Sequence, residues 1–433
     1  MGWLRELDDR ERKTMIATGG GWALDAFDVQ VYSFVVPTLI SLWGISRTDA
    51  GLLGTAALLI SALGGWLTGV LADRFGRVRM LQITIVWFAV FTFLSGFTSN
   101  FTELLICRGL QGLGFGGEWA AGSVLIGEVI RAQYRGRAVG VVQASWHIGW
   151  GASAILFTLL FSLLPADIAW RAMFWVGLLP ALFVLYIRKS VREPDVFDRA
   201  RARDGGEATF AGIFSIFAPA YLVRTILCVL VAAGVQGGYY ALSIWLPTYL
   251  KTTRDLSVLN TGGYLLVIIV GAWCGCVAAA HLADAIGRRR TFFVFAIAAS
   301  VLAFAYTHLP LGDTAILLLG FPLGFCANGI FAPMGPFLTE LFPTRIRGTA
   351  QGFCFNAGRA IGALFPTLVG YLSATLDLGQ AIGVFTVGAY AILIVAALFL
   401  PETNGTDLAA EQERAMPPHE QLGAPGRSGQ AAT

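Results

Sequence analysis

The chain has 433 residues, 56% of them hydrophobic and 13% charged, with mean hydropathy +0.68 and formal net charge +3. A soluble domain carries about 25% charged residues. A soluble core of this length cannot hide so much apolar surface, and a membrane protein is the class that fits. The basic residues are scattered through short loops, so there is no nucleic-acid footprint.

Apolar runs of about 20 residues suit a bilayer-spanning helix. Twelve occur, at 15–42, 50–72, 80–98, 103–129, 137–162, 169–189, 221–247, 258–283, 291–308, 314–341, 348–372 and 380–400. Residues 1–14 carry both signs of charge and precede a run long enough to span, so no cleavable leader is expected. The stretch 190–220 holds Arg192, Glu193, Asp195, Arg199, Arg201, Arg203, Asp204 and Glu207 and no spanning run. It reads as a linker between bundles at 15–189 and 221–400. The tail 401–433 is polar and rich in Pro and Gly, and is expected to be disordered. Lys and Arg mark the cytoplasmic side of a membrane. With the N-terminus inside, 23 of the 30 fall on that side, and only Arg47, Arg171, Lys251 and Arg254 on the other. The reading is a multi-pass protein of the cell membrane, bathed in lipid and monomeric, with both termini cytoplasmic. The six cysteines lie in apolar runs, and Cys274 and Cys276 point about 200° apart on a helix. Neither a metal nor a cofactor is expected.

Two patterns recur at nearly the same offset, 211 and 212 residues. Gly69 to Arg79, GVLADRFGRVR, returns as Ala280 to Arg290, AHLADAIGRRR, so that Asp73, Gly76 and Arg77 match Asp284, Gly287 and Arg288. Glu128, Arg135 and Gly136 return as Glu340, Arg347 and Gly348. Such self-similarity indicates an internal duplication. Gly76 and Gly287 permit a sharp reversal. Asp73 and Asp284 sit at helix ends, where they can accept from a neighbouring helix N-terminus. Arg77 and Arg288 can pair with acids such as Glu128 and Glu340. Together with Arg135 and Arg347 these residues form a candidate gate, holding the cytoplasmic ends together; the plainer reading is that they mark topology.

The first loop resembles the signature between helices 2 and 3 of the major facilitator superfamily of secondary transporters. Arg108-Gly109 with Gln111-Gly112, Gly114, Gly116 and Gly117 resembles its helix 4 signature. The second loop departs from the pattern at Ala280 and Ala285. The resemblance implies an all-α membrane protein, with twelve transmembrane helices in two pseudo-symmetric six-helix bundles and a gating role for the loops. LDAFDVQVYSFVVPTL resembles helix 1 of the aromatic acid:proton symporters and of the sialate and monocarboxylate:proton symporters. Gly116-Gly117-Glu118-Trp119 is similar to the second branch.

A charge at the bilayer centre costs about 3 kcal/mol or more, so polar residues within spans carry the functional argument. Asp25, Asp28 and Tyr32 share one face of helix 1, while Gln30 points elsewhere. Two carboxylates on one face of a low-dielectric cavity repel, which favours a proton on one of them. Arg108, Gln111 and Glu118 lie on helix 4, with Arg108 resembling a family arginine linked to proton coupling. Gln143 and His147 lie one turn apart on helix 5, as Asn356 and Arg359 share a face of helix 11. The 212-residue offset makes His147 and Arg359 equivalent, so they should face each other across a central cavity. Helix 7 adds Gln236, Tyr239 and Tyr240, and helix 10 adds Asn328. Trp146, Trp150 and Trp175 read as packing or interface residues rather than substrate stackers, though the first two could line the cavity.

The expectation is proton-coupled import of a small organic carboxylate: a monocarboxylate, sugar acid or aromatic acid. Arg359, His147, Asn356, Gln143, Tyr32, Gln236, Tyr239, Tyr240 and Asn328 would hold the anion. Asp25, Asp28, Arg108 and Glu118 would carry the proton, and the proton gradient would drive the cycle. Transport of a sugar or other neutral metabolite, and efflux of organic acids, stay open. A membrane-embedded enzyme would need a metal set or a nucleophile with a base, and the spanning histidines His147 and His281 lie far apart in sequence; a sensor would have only the short polar tail as an output domain. No G-x-x-x-x-G-K loop suggests ATP-driven transport.

Overall fold

A computed structural model describes residues 2–131, 134–191 and 216–404. The expected linker falls outside the described residues from 192 to 215, and the tail does so from 405. Fifteen α-helices and no strand occur among the described residues. The first half holds α1 (Asp9–Trp43), α2 (Arg47–Phe75), α3 (Arg77–Ser95), α4 (Phe101–Val129), α5 (Arg135–Leu163), α6 (Ala166–Val176) and α7 (Leu179–Ser190). The second holds α8 (Pro219–Thr252), α9 (Val258–Ile286), α10 (Arg288–His308), α11 (Asp313–Gly329), α12 (Met334–Glu340), α13 (Thr344–Gly362), α14 (Phe365–Leu372) and α15 (Leu378–Leu398). The pairs α6/α7, α11/α12 and α13/α14 each occupy one expected span, giving twelve spans in all. Ten described segments are long and apolar enough to cross a membrane. The fourth and eleventh spans are not among them, and these carry Arg108 with Glu118, and Arg359.

Helix 1 starts earlier than its apolar run. Asp8 caps it, accepting from the Glu11 amide at 2.7 Å while the Glu11 carboxylate accepts from the Asp8 amide at 3.0 Å. Glu11 is buried, which a charged side chain tolerates only when paired. Arg131 pairs with it through Nη2 at 2.8 Å and Nε at 2.9 Å. The two repeated loops reverse in the same way: Gly76 and Gly287 take φ of 105° and 102°, the region that glycine enters without a Cβ clash. Just beyond them, Arg77 Nη1 donates to the Ala72 carbonyl at 3.3 Å and Arg288 Nη1 to the Ala283 carbonyl at 2.9 Å.

Packing repeats as the sequence does. In the first half α1 packs on α5 and α2 on α4; in the second, α8 packs on α13 and α9 on α11. The halves meet along α1 with α8, α2 with α13 and α14, and α5 with α9. Where helix 1 ends, the contact is tight. Thr55 Oγ1 accepts from Thr367 Oγ1 at 2.7 Å and itself donates to the Ala363 carbonyl, and Arg47 Nη1 donates to the Ser373 carbonyl at 3.4 Å.

Candidate functional site

The inward faces of α1, α4, α5, α8 and α13 bring the polar residues of the spans together. Arg359 sits in the last turn of α13, where the span breaks between Gly362 and Phe365. A cation suits a helix C-terminus, whose carbonyls carry partial negative charge. Arg359 is 2% exposed, and its Nε and Nη1 have no hydrogen-bond partner among the described residues. Its guanidinium lies 5.0 Å from the ring centroids of both Phe115 and Phe355. Tyr240 and Asp25 lie within its electrostatic reach, but no carboxylate forms an ion pair with it among the described residues. A buried guanidinium with spare donors and aromatic faces on either side can take up a carboxylate.

The acids of the first half divide into two groups. Asp25 and Glu118, both buried, turn their carboxyl groups toward each other, and among the described residues no donor reaches any of the four oxygens. Two facing carboxyls can share a proton, and without one they repel. Gly21 makes room for Glu118: a Cβ at Gly21 would stand 2.3 Å from Glu118 Oε1. Asp28 belongs to a different network. Thr92 donates to Asp28 Oδ2, as does Gln111 Nε2 at 2.7 Å, and Gln111 Oε1 accepts from Arg108 Nη1. Arg108 therefore reaches Asp28 through Gln111, and its guanidinium lies 4.7 Å from the ring centroid of Tyr32. Gly177 backs the same carboxylate, with a would-be Cβ 3.1 Å from Asp28 Oδ1. Asp25 and Asp28 share a helix face as expected, yet they serve separate clusters.

An aromatic wall borders Arg359. Trp22 and Trp146 lie 4.9 Å apart between centroids, Trp22 and Phe115 6.5 Å, and Phe115 and Trp146 6.1 Å. The Trp146 indole N–H donates to the Tyr239 hydroxyl at 2.8 Å, and Gln30 Nε2 donates to the same oxygen at 3.2 Å.

The Major Facilitator Superfamily model matches residues 20–323 and 277–426. The chain belongs to this superfamily. A relative from Cupriavidus pinatubonensis, named "Probable 4-methylmuconolactone transporter", is 42% identical over 93% of each chain. The "Cis,cis-muconate transport protein" of Acinetobacter baylyi is 29% identical over 88% of this chain and 92% of its own. Among solved structures, a D-xylose-proton symporter superposes with a TM-score of 0.72 at 22% identity, covering 92% of this chain and 100% of its own, a likeness of fold. The protein is a multi-pass transmembrane transporter and not an enzyme.

Within this superfamily frame the expected residues are distributed as follows. His147 forms no hydrogen bond with Arg359 among the described residues. Its Nε2 lies 3.3 Å from Asn328 Oδ1, and its Nδ1 3.3 Å from the Ala144 carbonyl, so it ties α5 to α11. Tyr32 donates to the Ala50 carbonyl and supports Arg108, away from Arg359. Gln236 donates to the Phe355 carbonyl at 2.9 Å and accepts from Tyr240 at 3.4 Å, which bolsters the wall of the Arg359 site. Asn356 donates to the Gly352 carbonyl at 2.9 Å, and its Oδ1 crowds Gly65 across the interface between the halves. Gln143 Oε1 is buried without a hydrogen-bond partner among the described residues.

In the loops, Arg288 pairs with Glu340 at 3.1 Å and with Asp284 at 3.0 Å. All three residues belong to the second half, so this contact does not bridge the halves. Glu402, at the foot of the tail, accepts from the Arg288 amide at 2.8 Å, and Thr403 donates to Glu340 at 2.6 Å. Arg347 Nε donates to the Phe342 carbonyl at 3.2 Å. The side chains of Asp73, Glu128 and Arg135 lie outside the described residues. Trp146, one of the two tryptophans that could line the cavity, is joined there by Trp22, Phe115 and Gln30, which the charge pattern of the spans does not mark. A run of aromatics within polar-bearing spans was the available signal, and packing is its commoner meaning.

Proposed function

We propose that the protein imports a small organic carboxylate together with a proton, by alternating access around a site between its halves. The observation that carries this reading is Arg359: buried, permanently charged, flanked by two aromatic faces, and holding spare donors. An unpaired cation in a membrane interior is costly, so an anion must meet it during the cycle. The relatives' names point the same way, since muconate is an unsaturated carboxylate. Tyr240 and Gln236 line the anion site. Asp25 with Glu118, and Asp28 with Arg108 and Gln111, carry the proton. The basic loops lie in the cytoplasm, with both termini, and the pairs around Arg288 set the rate at which the halves rock. The transporter works as a monomer in the cell membrane, driven by the proton gradient alone.

The test is uptake by purified protein in proteoliposomes with an alkaline interior. Benzoate and cis,cis-muconate should accumulate above their external concentration, and a protonophore should abolish the accumulation. Accumulation of a neutral sugar without uptake of any acid would overturn the reading.

A further inference from the structure

The Tyr239 hydroxyl is an unusual meeting point. It lies on α8, in the second half, yet it accepts two N–H donors from the first: Gln30 on α1 at 3.2 Å and Trp146 on α5 at 2.8 Å. Gln30 is fully buried and Tyr239 nearly so. Ser33 Oγ donates to the Gln30 backbone carbonyl at 2.8 Å and lies 3.1 Å from Gln30 Oε1, the orientation in which the NH2 group faces Tyr239. In alternating access the halves part on one side at a time. Any movement that carries α8 away from α1 and α5 strips both donors of their common acceptor. A buried donor without an acceptor costs about 1–3 kcal/mol, so an oxygen atom must take the place of the phenol.

The place is adjacent to the Arg359 site. Trp146 also forms part of the aromatic wall with Trp22 and Phe115, and Phe115 is the ring over which Arg359 lies. On α8, Tyr240 attends Arg359 while its neighbour Tyr239 attends Gln30 and Trp146, with the two tyrosine rings 5.6 Å apart between centroids. An aromatic wall, in which the Trp146 ring is tilted 47° to Trp22 and 44° to Phe115, thus connects one cationic end to one end with two neutral donors.

We propose that Gln30 and Trp146 form a second, oxygen-binding subsite for which Tyr239 is the resident stand-in. The substrate is then a two-ended, planar unsaturated acid. Its carboxylate meets Arg359, its conjugated body lies on the Trp22–Phe115–Trp146 wall, and a second oxygen, from a carboxylate or a lactone carbonyl, takes both N–H groups. This proposal rests on the reading of Arg359 as a carboxylate site.

Three variants test it, with cis,cis-muconate as the two-ended acid and benzoate as the one-ended control, in the proteoliposome assay. Trp146→Phe keeps an aromatic ring in the wall, removes the donor and trims the ring surface that both acids share. It should raise the KM for muconate about tenfold more than that for benzoate, the worth of one good hydrogen bond. Gln30→Met removes the other donor at similar volume and should do the same, which keeps the test standing if one variant fails to insert. Tyr239→Phe removes the stand-in and should leave the muconate KM unchanged or lower. Equal losses for both acids, or a muconate KM indifferent to Trp146→Phe and Gln30→Met, would sink the second subsite. So would robust benzoate uptake by the parent with no muconate uptake, an outcome that leaves the carboxylate reading intact. Benzoate transport indifferent to Arg359→Lys would instead remove the carboxylate reading itself.

Discussion

Arg359→Lys keeps the charge and changes the shape. In the native site the guanidinium presents a planar donor edge and lies 5.0 Å from two phenylalanine centroids. A forked carboxylate contact uses two charge-assisted hydrogen bonds, each worth about 1.5–3 kcal/mol. Lysine retains one of them. It also stacks less well, and each cation–π contact contributes about 0.5–1 kcal/mol. The lost bond and the weakened stacking together come to about 3 kcal/mol, or about 100-fold in affinity. Equilibrium binding of benzoate in detergent measures this without interference from the transport cycle. Its methyl ester is the companion probe: it cannot form the forked contact and should not compete. A loss of under threefold in the lysine variant, or an ester that competes as well as the acid, would refute the reasoning and return Arg359 to a structural role.

Asp28→Asn should abolish uptake driven by a pH gradient while the protein still inserts, because the amide cannot exchange a proton at the oxygen that Thr92 and Gln111 hold; undiminished accumulation under an imposed gradient would remove Asp28 from the proton path. Gly149→Ala should lower the midpoint of thermal unfolding in detergent, since its Cβ would stand 1.7 Å from the Ala23 carbonyl oxygen where α5 crosses α1. Overpacking of this kind costs about 1–3 kcal/mol, and an unchanged midpoint would show that the two helices separate freely there.

The fold was legible because its causes are one-dimensional. Span length follows from bilayer thickness and the loops from charge, and the 211- and 212-residue offsets disclosed the two halves before any packing was known. The breaks at Gly177 and Gly362 were less visible, since each apolar run continues through them. The site was half legible. Asp25, Asp28, Arg108, Glu118 and Arg359 stand out as charges in apolar runs. Their partners do not, because partnership depends on how helices from both halves rotate toward one another. The offset made His147 and Arg359 equivalent, but the halves carry different side chains at matching places. His147 reaches Asn328, whereas Arg359 reaches Phe115 and Tyr240. Gln30 was set aside as lying off the carboxylate face of helix 1. That is true of the helix and irrelevant to its role, because α8 packs on the very face that Gln30 occupies.

The separation of the two acid clusters bears on how anion and proton are coupled. Asp25 is the acid within electrostatic reach of Arg359, and it also faces Glu118. Asp28 is held by Thr92 and Gln111, and Arg108 is held by Gln111 in turn. An arriving carboxylate at Arg359 therefore adds negative charge beside Asp25 first. Coulomb repulsion between like charges in a low-dielectric site is strong, so the substrate is best accommodated when the Asp25–Glu118 pair carries a proton. The converse also holds, since binding free energies couple reciprocally: a protonated pair leaves Arg359 without a competing anion and so favours the substrate. Asp28 sits one turn away on the same helix face, so a change of charge at Asp25 reaches it over a short distance. Coupling of this kind needs no direct contact between substrate and Asp28. Under the proposed function, proton uptake at the Asp25–Glu118 pair and anion binding at Arg359 would be two readings of a single electrostatic balance.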